Sequence, residues 1–243
     1  MTSQPTTLAE QLAHVHRRIA QACDSAGRPA HSVALLAVSK TFGADAVREA
    51  FAAGQRAFGE NYVQEALDKI AALADLRPQL CWHLIGPLQS NKTRPVAEAF
   101  DWVQSVDRLK IAQRLAEQRP PQLAPLQLCL QVNISGEASK SGVLPADLPA
   151  LARAVAALPA ERITLRGLMA IPEPAADAAA QRAPHRALRE LMAALNADCG
   201  LALDTLSMGM SADLEAAVAE GATLLRVGTA IFGGRAAPAA GAG

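Results

Sequence analysis

The chain has 243 residues and balances 23 Lys+Arg against 23 Asp+Glu, which leaves no electrostatic footprint for nucleic acid or an anionic membrane surface. It is 51% hydrophobic but only 3% aromatic, so an aliphatic core large enough for one sizeable domain is expected. The four cysteines, Cys23, Cys81, Cys129 and Cys199, contain no C-x-x-C pair, so no zinc or redox motif is read and a reduced, cytoplasmic compartment is expected.

The N-terminus shows no basic segment followed by an apolar stretch, so no signal peptide is read. No apolar run approaches the roughly 18 residues of a membrane span. Residues 7–26 predict an amphipathic helix: Thr7 and Glu10 have capping-box spacing, and Leu8, Leu12, Val15 and Ile19 recur on one face. Beyond Gly27 and Pro29, short apolar runs alternate with helical stretches. Strands are predicted at Val33–Ser39, Arg56–Gly59, Trp82–Ile85, Trp102–Val106, Leu126–Val132, Thr164–Leu168, Thr205–Met208 and Leu224–Val227. Helices are predicted at about 44–53, 61–76, 90–99, 107–118, 146–157, 181–197 and 212–220.

Strict β-α alternation implies parallel strands joined by crossover helices. The expected fold is therefore a single (β/α)8 TIM barrel over residues 1–233 with an extra N-terminal helix, and a disordered tail at 234–243. A doubly wound open sheet competes, although no Gly-rich dinucleotide fingerprint follows the first strand.

A barrel places chemistry at the C-terminal ends of its strands. Lys40 follows the first strand, Glu60, Asn61 and Tyr62 the second, Met169 the sixth, SMGMS (207–211) the seventh and RVGT (226–229) the eighth. The segment around Gly209 and Ser211 turns from a strand into a predicted helix, where unpaired N–H groups and a hydroxyl suit an anion. Gly228 and Thr229 lie on the neighbouring strand end, the usual phosphate position of this fold. Asp213 is discordant there unless its carboxylate points away.

A lysine across the rim from a phosphate pocket suggests a Schiff base with a phosphorylated aldehyde, and pyridoxal 5′-phosphate (PLP) fits both ends. Arg226, near the phosphate residues, would keep a pyridine nitrogen unprotonated and weaken the ring as an electron sink.

The segments LLAVSKTF, AFGENYVQEALDK, WHLIGPLQSNK, GLMAI, LSMGMSADLEAAV and LRVGTAIFG resemble the YggS/PROSC family of PLP-homeostasis proteins, over about residues 8 to 233. The resemblance implies a barrel similar to the alanine racemase N-terminal domain. It also implies Lys40 as the Schiff-base lysine, Arg226 facing the pyridine nitrogen, and Asn61 and Met169 beside the ring. Ser211, Gly228 and Thr229 would hold phosphate with backbone help from Met210. The Ala/Pro-rich stretches 119–125 and 172–184 look like variable loops.

Three functions compete: a PLP carrier without turnover, a PLP-dependent racemase-like enzyme, and a cofactor-free Schiff-base aldolase. A racemase needs a second acid/base group opposite the lysine, for which Tyr62 and His83 are the candidates; His83 reads instead as a hydrogen-bonded barrel histidine. An aldolase needs carboxylates beside Lys40, for which Glu60 is available while Asp45 and Glu49 fall on the following helix. The expectation is the carrier: a cytoplasmic monomer that binds PLP, meets apo PLP-dependent enzymes transiently, and uses neither nucleic acid nor membrane.

Overall fold

Eight parallel strands pair in chain order and close on themselves: β1 Ala34–Val38, β2 Ala57–Glu60, β3 Cys81–Leu84, β4 Trp102–Val106, β5 Leu126–Gln131, β6 Ile163–Met169, β7 Thr205–Ser207 and β8 Leu224–Val227. β8 returns to β1 with Leu36 beside Arg226, which closes the barrel and excludes the open sheet. These features come from a computed structural model that describes residues 7–137, 140–175 and 177–234. Of the expected tail, residues 235–243 lie outside the described residues. No helix among the described residues is long and apolar enough to cross a membrane.

The helices are α1 Leu8–Ser25, α2 Ala44–Ala52, α3 Val63–Ala72, α4 Thr93–Ala99, α5 Leu109–Gln118, α6 Leu148–Ala156, α7 Ala178–Cys199, α8 Leu214–Ala219 and α9 Thr229–Phe232. α1 carries the capping box that its sequence predicts: the Thr7 hydroxyl accepts from the Glu10 amide at 3.2 Å, and the Glu10 carboxylate accepts from the Thr7 amide at 2.8 Å. Its buried stripe of Leu12, Val15 and Ile19 joins the main core, and α1 packs on α8 and α9.

The strands have two faces with different chemistry. Outward residues such as Leu35, Trp82, Leu128 and Leu225 meet the helices in one continuous core, where each fully buried aliphatic side chain contributes roughly 1.5–3 kcal/mol. The inward face holds a small apolar cluster of Leu36, Val38, Ile85 and Leu224. The rest of the barrel interior is polar: Gln104 on β4 is bonded to Ser207 on β7, a path between non-neighbouring strands that only the interior allows. Lys40 continues the two-residue period of Leu36 and Val38, which directs it to the inward side.

One loop expectation is corrected. Residues 178–184 are the first turns of α7, with Asp177 accepting from the Ala180 amide at 2.8 Å. Pro184 therefore lies inside a helix, where it lacks the N–H that would reach back one turn. The strong helix propensity of the alanines around it outweighs that local loss.

Candidate functional site

Seven of the eight expected residues, Lys40, Asn61, Met210, Ser211, Arg226, Gly228 and Thr229, line one cavity of about 340 Å³ at the C-terminal ends of the strands. Met169 does not line it: it ends β6, fully buried and paired with Gln131 and Ser207 in the sheet. Val38, Ile85, Ile171 and Ala212 complete the lining. Parity along the strands could have named Val38 and Ile85, but nothing in the sequence marked Ile171, which is 47% exposed at the mouth.

Both neighbours of Lys40 are anchored from behind. Glu60 ends β2 fully buried, and its Oε1 accepts from Ser39 Oγ at 2.6 Å and Lys69 Nζ at 2.8 Å. Lys69 also donates to the Ser39 carbonyl at 2.7 Å and to Glu65 Oε1 at 2.6 Å. The same Glu65 oxygen accepts the Thr41 amide at 2.6 Å, which holds Thr41 in the left-handed region at φ 69°. A non-glycine residue there costs about 1–3 kcal/mol and needs such anchoring. Lys40 Nζ itself has no hydrogen-bond partner among the described residues. Burial raises the Glu60 pKa while Lys69 opposes that shift. Glu60 is thus committed to Ser39 and Lys69 and does not line the cavity, which removes the carboxylate an aldolase would need.

Asn61 follows β2, and its Oδ1 is buried with no partner among the described residues. Its backbone lies so close to Gly86 that any side chain at 86 would overlap the Asn61 carbonyl, so Gly86 fixes where Asn61 stands.

Also lining the cavity, Thr229 Oγ1 and Ser211 Oγ lie 3.3 Å apart. The helix predicted at 212–220 begins later than expected: α8 starts at Leu214 behind Asp213, and Ser211 belongs to the preceding turn. Asp213 folds back, accepting the Met210 amide on Oδ1 at 2.7 Å and meeting His185 Nε2 through Oδ2 at 2.9 Å. Burial works against its charge, yet the bonds from His185 and Met210 hold the carboxyl below the usual range. The Met210 amide is thus bonded to Asp213, whereas the amides of Ser211, Ala212 and Gly228 have no acceptor among the described residues. Gly209, at φ 92°, makes this turn possible; a Cβ there would overlap Ala217 and sit 2.7 Å from Leu225 Cδ2. Arg18 of α1 braces the turn from outside by donating to the Ser211 carbonyl at 3.2 Å.

The inner wall carries Arg226, whose Nη1 donates to Ser207 Oγ at 2.7 Å and Nη2 to the Ala170 carbonyl at 2.8 Å. Burial lowers its pKa to about 10, so it stays protonated at neutral pH. Tyr62 is 52% exposed and His83 is buried deeper in the barrel; neither lines the cavity. No group of His, Cys, Asp and Glu side chains among the described residues could hold a metal ion.

One cavity thus offers a primary amine, a hydroxyl pair beside unpaired amides, and a buried cation, with apolar walls between. Its volume falls within the range of small-molecule sites. That donor set fits a phosphorylated aromatic aldehyde: amine to aldehyde, hydroxyls and amides to phosphate, guanidinium to a ring nitrogen.

Residues 11–236 match the family model "Alanine racemase, N-terminal domain". The chain is 66% identical to the pyridoxal phosphate homeostasis protein of Pseudomonas aeruginosa, covering 95% of this chain and 96% of that one. It is 52% identical to the Escherichia coli K12 protein of the same name, covering 94% and 97%. Among solved structures it resembles PipY of Synechococcus elongatus with PLP bound, at TM-score 0.81 and 44% identity over 93% of this chain and 100% of that one. Alanine racemase from Corynebacterium glutamicum shares the fold at TM-score 0.66 and 19% identity, over 96% of this chain and 63% of that one. Matched along almost its whole length by these relatives, the chain belongs to the pyridoxal phosphate homeostasis protein family.

Proposed function

We propose that the protein binds PLP in this cavity, holds it as a Schiff base on Lys40, and buffers or supplies it inside the cell without turnover of its own. The observation that carries this reading is the placement of the partner-free Lys40 amine and the Ser211–Thr229 hydroxyl pair in one cavity, with the Arg226 cation on its wall. That the similar protein PipY has been solved with PLP bound supports PLP as the ligand. PLP supplies an aldehyde that condenses with an amine, and a pyridine ring whose protonation governs how well it stores electrons. Lys40 would provide the amine, Ser211 and Thr229 would donate to the phosphate, and Arg226, a donor that cannot take up a proton, would meet the ring nitrogen and leave it unprotonated.

Carriage rather than catalysis is supported by the inventory of the cavity. Lys40 and Arg226 are the only titratable side chains lining it among the described residues, so no second acid/base group stands opposite the lysine. The exposed Ile171 at the mouth leaves the site open to water and to release. The working picture is a cytoplasmic monomer that passes PLP transiently to apo-enzymes.

Borohydride reduction of the PLP-loaded protein, followed by peptide mass mapping, tests the assignment. A phosphopyridoxyl group is expected on the peptide containing Lys40. Its appearance only at another lysine, such as Lys92 or Lys140, overturns it.

A further inference from the structure

Arg226 heads a chain of hydrogen bonds that runs down the barrel interior. Its Nη1 donates to Ser207 Oγ at 2.7 Å, and Ser207 Oγ donates to Gln104 Oε1 at 2.5 Å. Gln104 Nε2 meets His83 Nδ1 at 2.8 Å, and His83 Nε2 meets Cys81 Sγ at 3.3 Å. The chain links β8, β7, β4 and β3, and Arg226, Ser207, Gln104 and His83 are all buried.

Every proton in the chain is ordered from one end. A guanidinium only donates, so Ser207 must accept from it and spend its single hydrogen on Gln104. The Gln104 carbonyl is then turned to Ser207 and its NH2 group to His83. His83 must accept on Nδ1, which leaves its own N–H on Nε2, toward Cys81. Burial drives the His83 pKa down to about 3, so the imidazole stays neutral and keeps this tautomer at physiological pH. One face of the ring is held by stacking on Trp102, at 5.1 Å between centroids.

We propose that Ser207 and Gln104 are positioning residues for Arg226, aiming its guanidinium at the ring-nitrogen end of the cavity. Without them the guanidinium keeps only the Ala170 carbonyl, through Nη2, and can pivot about that single bond. The cation is then no longer held at its station. This inference rests on reading the cavity as the PLP site, but the order of the chain itself does not.

The test compares Ser207→Ala, Gln104→Leu and His83→Ala by PLP affinity, by the 15N signal of ring-labelled PLP, and by melting temperature. Influence on Arg226 should fade along the chain, with affinity falling about tenfold, about threefold and less than twofold in that order. The pH at which the bound ring nitrogen takes up a proton should rise in the same order, by about one unit in Ser207→Ala. Stability should rank the other way, since His83→Ala opens the largest void and loses the Trp102 stack. Affinity that follows stability instead would make these residues merely structural and overturn the proposal.

A measurement without cofactor separates this inference from the functional one. In the PLP-free protein the Arg226 guanidinium should give distinct Nη signals that merge in Ser207→Ala as rotation is freed. Unchanged Arg226 signals overturn the positioning role even where PLP binds. A wild type that binds no PLP overturns the functional reading, and the Arg226 signals still decide this one.

Discussion

Lys69 reaches from α3 to the carbonyl oxygen of Ser39, at 2.7 Å, and so grips the residue beside Lys40. The same ammonium neutralises Glu60, whose carboxylate is fully buried, so one side chain both supports the Lys40 backbone and compensates a buried charge. Lys69→Met should leave Glu60 unpaired and cost about 3–5 kcal/mol in urea unfolding. The double variant Lys69→Met with Glu60→Gln removes both charges and should recover more than half of that loss. Equal losses in the single and double variants would show that the charge pair is not what holds this corner.

The contrast between Lys40 and Lys69 shows what was legible in the sequence. Lys40 stands directly after an apolar run whose two-residue period fixes its side, and barrel logic says which end of a strand carries chemistry. Lys69 sits mid-helix, where it reads as an ordinary solvated residue; its bond to Ser39 spans 30 positions, which no local pattern encodes. The Glu65–Lys69 spacing of four was visible, but such pairs are common on exposed helix faces and carry no sign of burial. Met169 was legible as a strand-end residue; that it is fully buried there and outside the cavity lining is not encoded locally. Asp213 was legible as a discordant charge, though only the folded turn shows that it takes the Met210 amide and His185.

Ser211 and Thr229 should distinguish phosphorylated from unphosphorylated ligand. Their hydroxyls lie 3.3 Å apart in the same cavity as Lys40, and only the phosphate of a bound ligand is expected to engage them. Ser211→Ala and Thr229→Ala should each weaken PLP binding by about ten- to a hundredfold, the worth of a hydrogen bond to a charged group. Pyridoxal binding should change far less. Equal losses for both ligands would place the phosphate elsewhere.

Glu220 couples stability to pH away from the site. It caps the C-terminus of α8 with its side chain 1% exposed, and accepts from Arg182, Arg186 and Arg189, all on α7. The bonds from Arg186, foremost, and Arg182 pull its pKa from 4.5 down to about 2 despite the opposing effect of burial. A carboxyl with a depressed folded-state pKa contributes stability above the unfolded value and loses it as pH falls through the folded one. Wild type should therefore exceed Glu220→Gln in stability at pH 7, by roughly 1–3 kcal/mol. The gap should narrow between about pH 4.5 and 2. A gap that is constant over that range would assign the loss to packing rather than charge.

The last prediction is that the loaded protein carries out no amino-acid chemistry and can give its cofactor away. Catalysis on PLP needs an electron sink and, for racemisation, a base on each face of the substrate. Arg226 remains a cation at neutral pH and only donates, so facing a bound pyridine ring it would leave the ring nitrogen unprotonated and the sink weak. On the second count, Tyr62 is turned to solvent and His83 is locked neutral beneath the site, with a pKa of about 3. Loaded protein incubated with L- and D-amino acids in deuterated water should show α-proton exchange no faster than free PLP. It should activate an apo PLP-dependent enzyme, whereas Lys40→Ala, folded but unable to load covalently, should not. Steady turnover of any amino acid at about 1 s⁻¹ or more, an ordinary enzymatic rate, would replace the carrier reading with a racemase-like one.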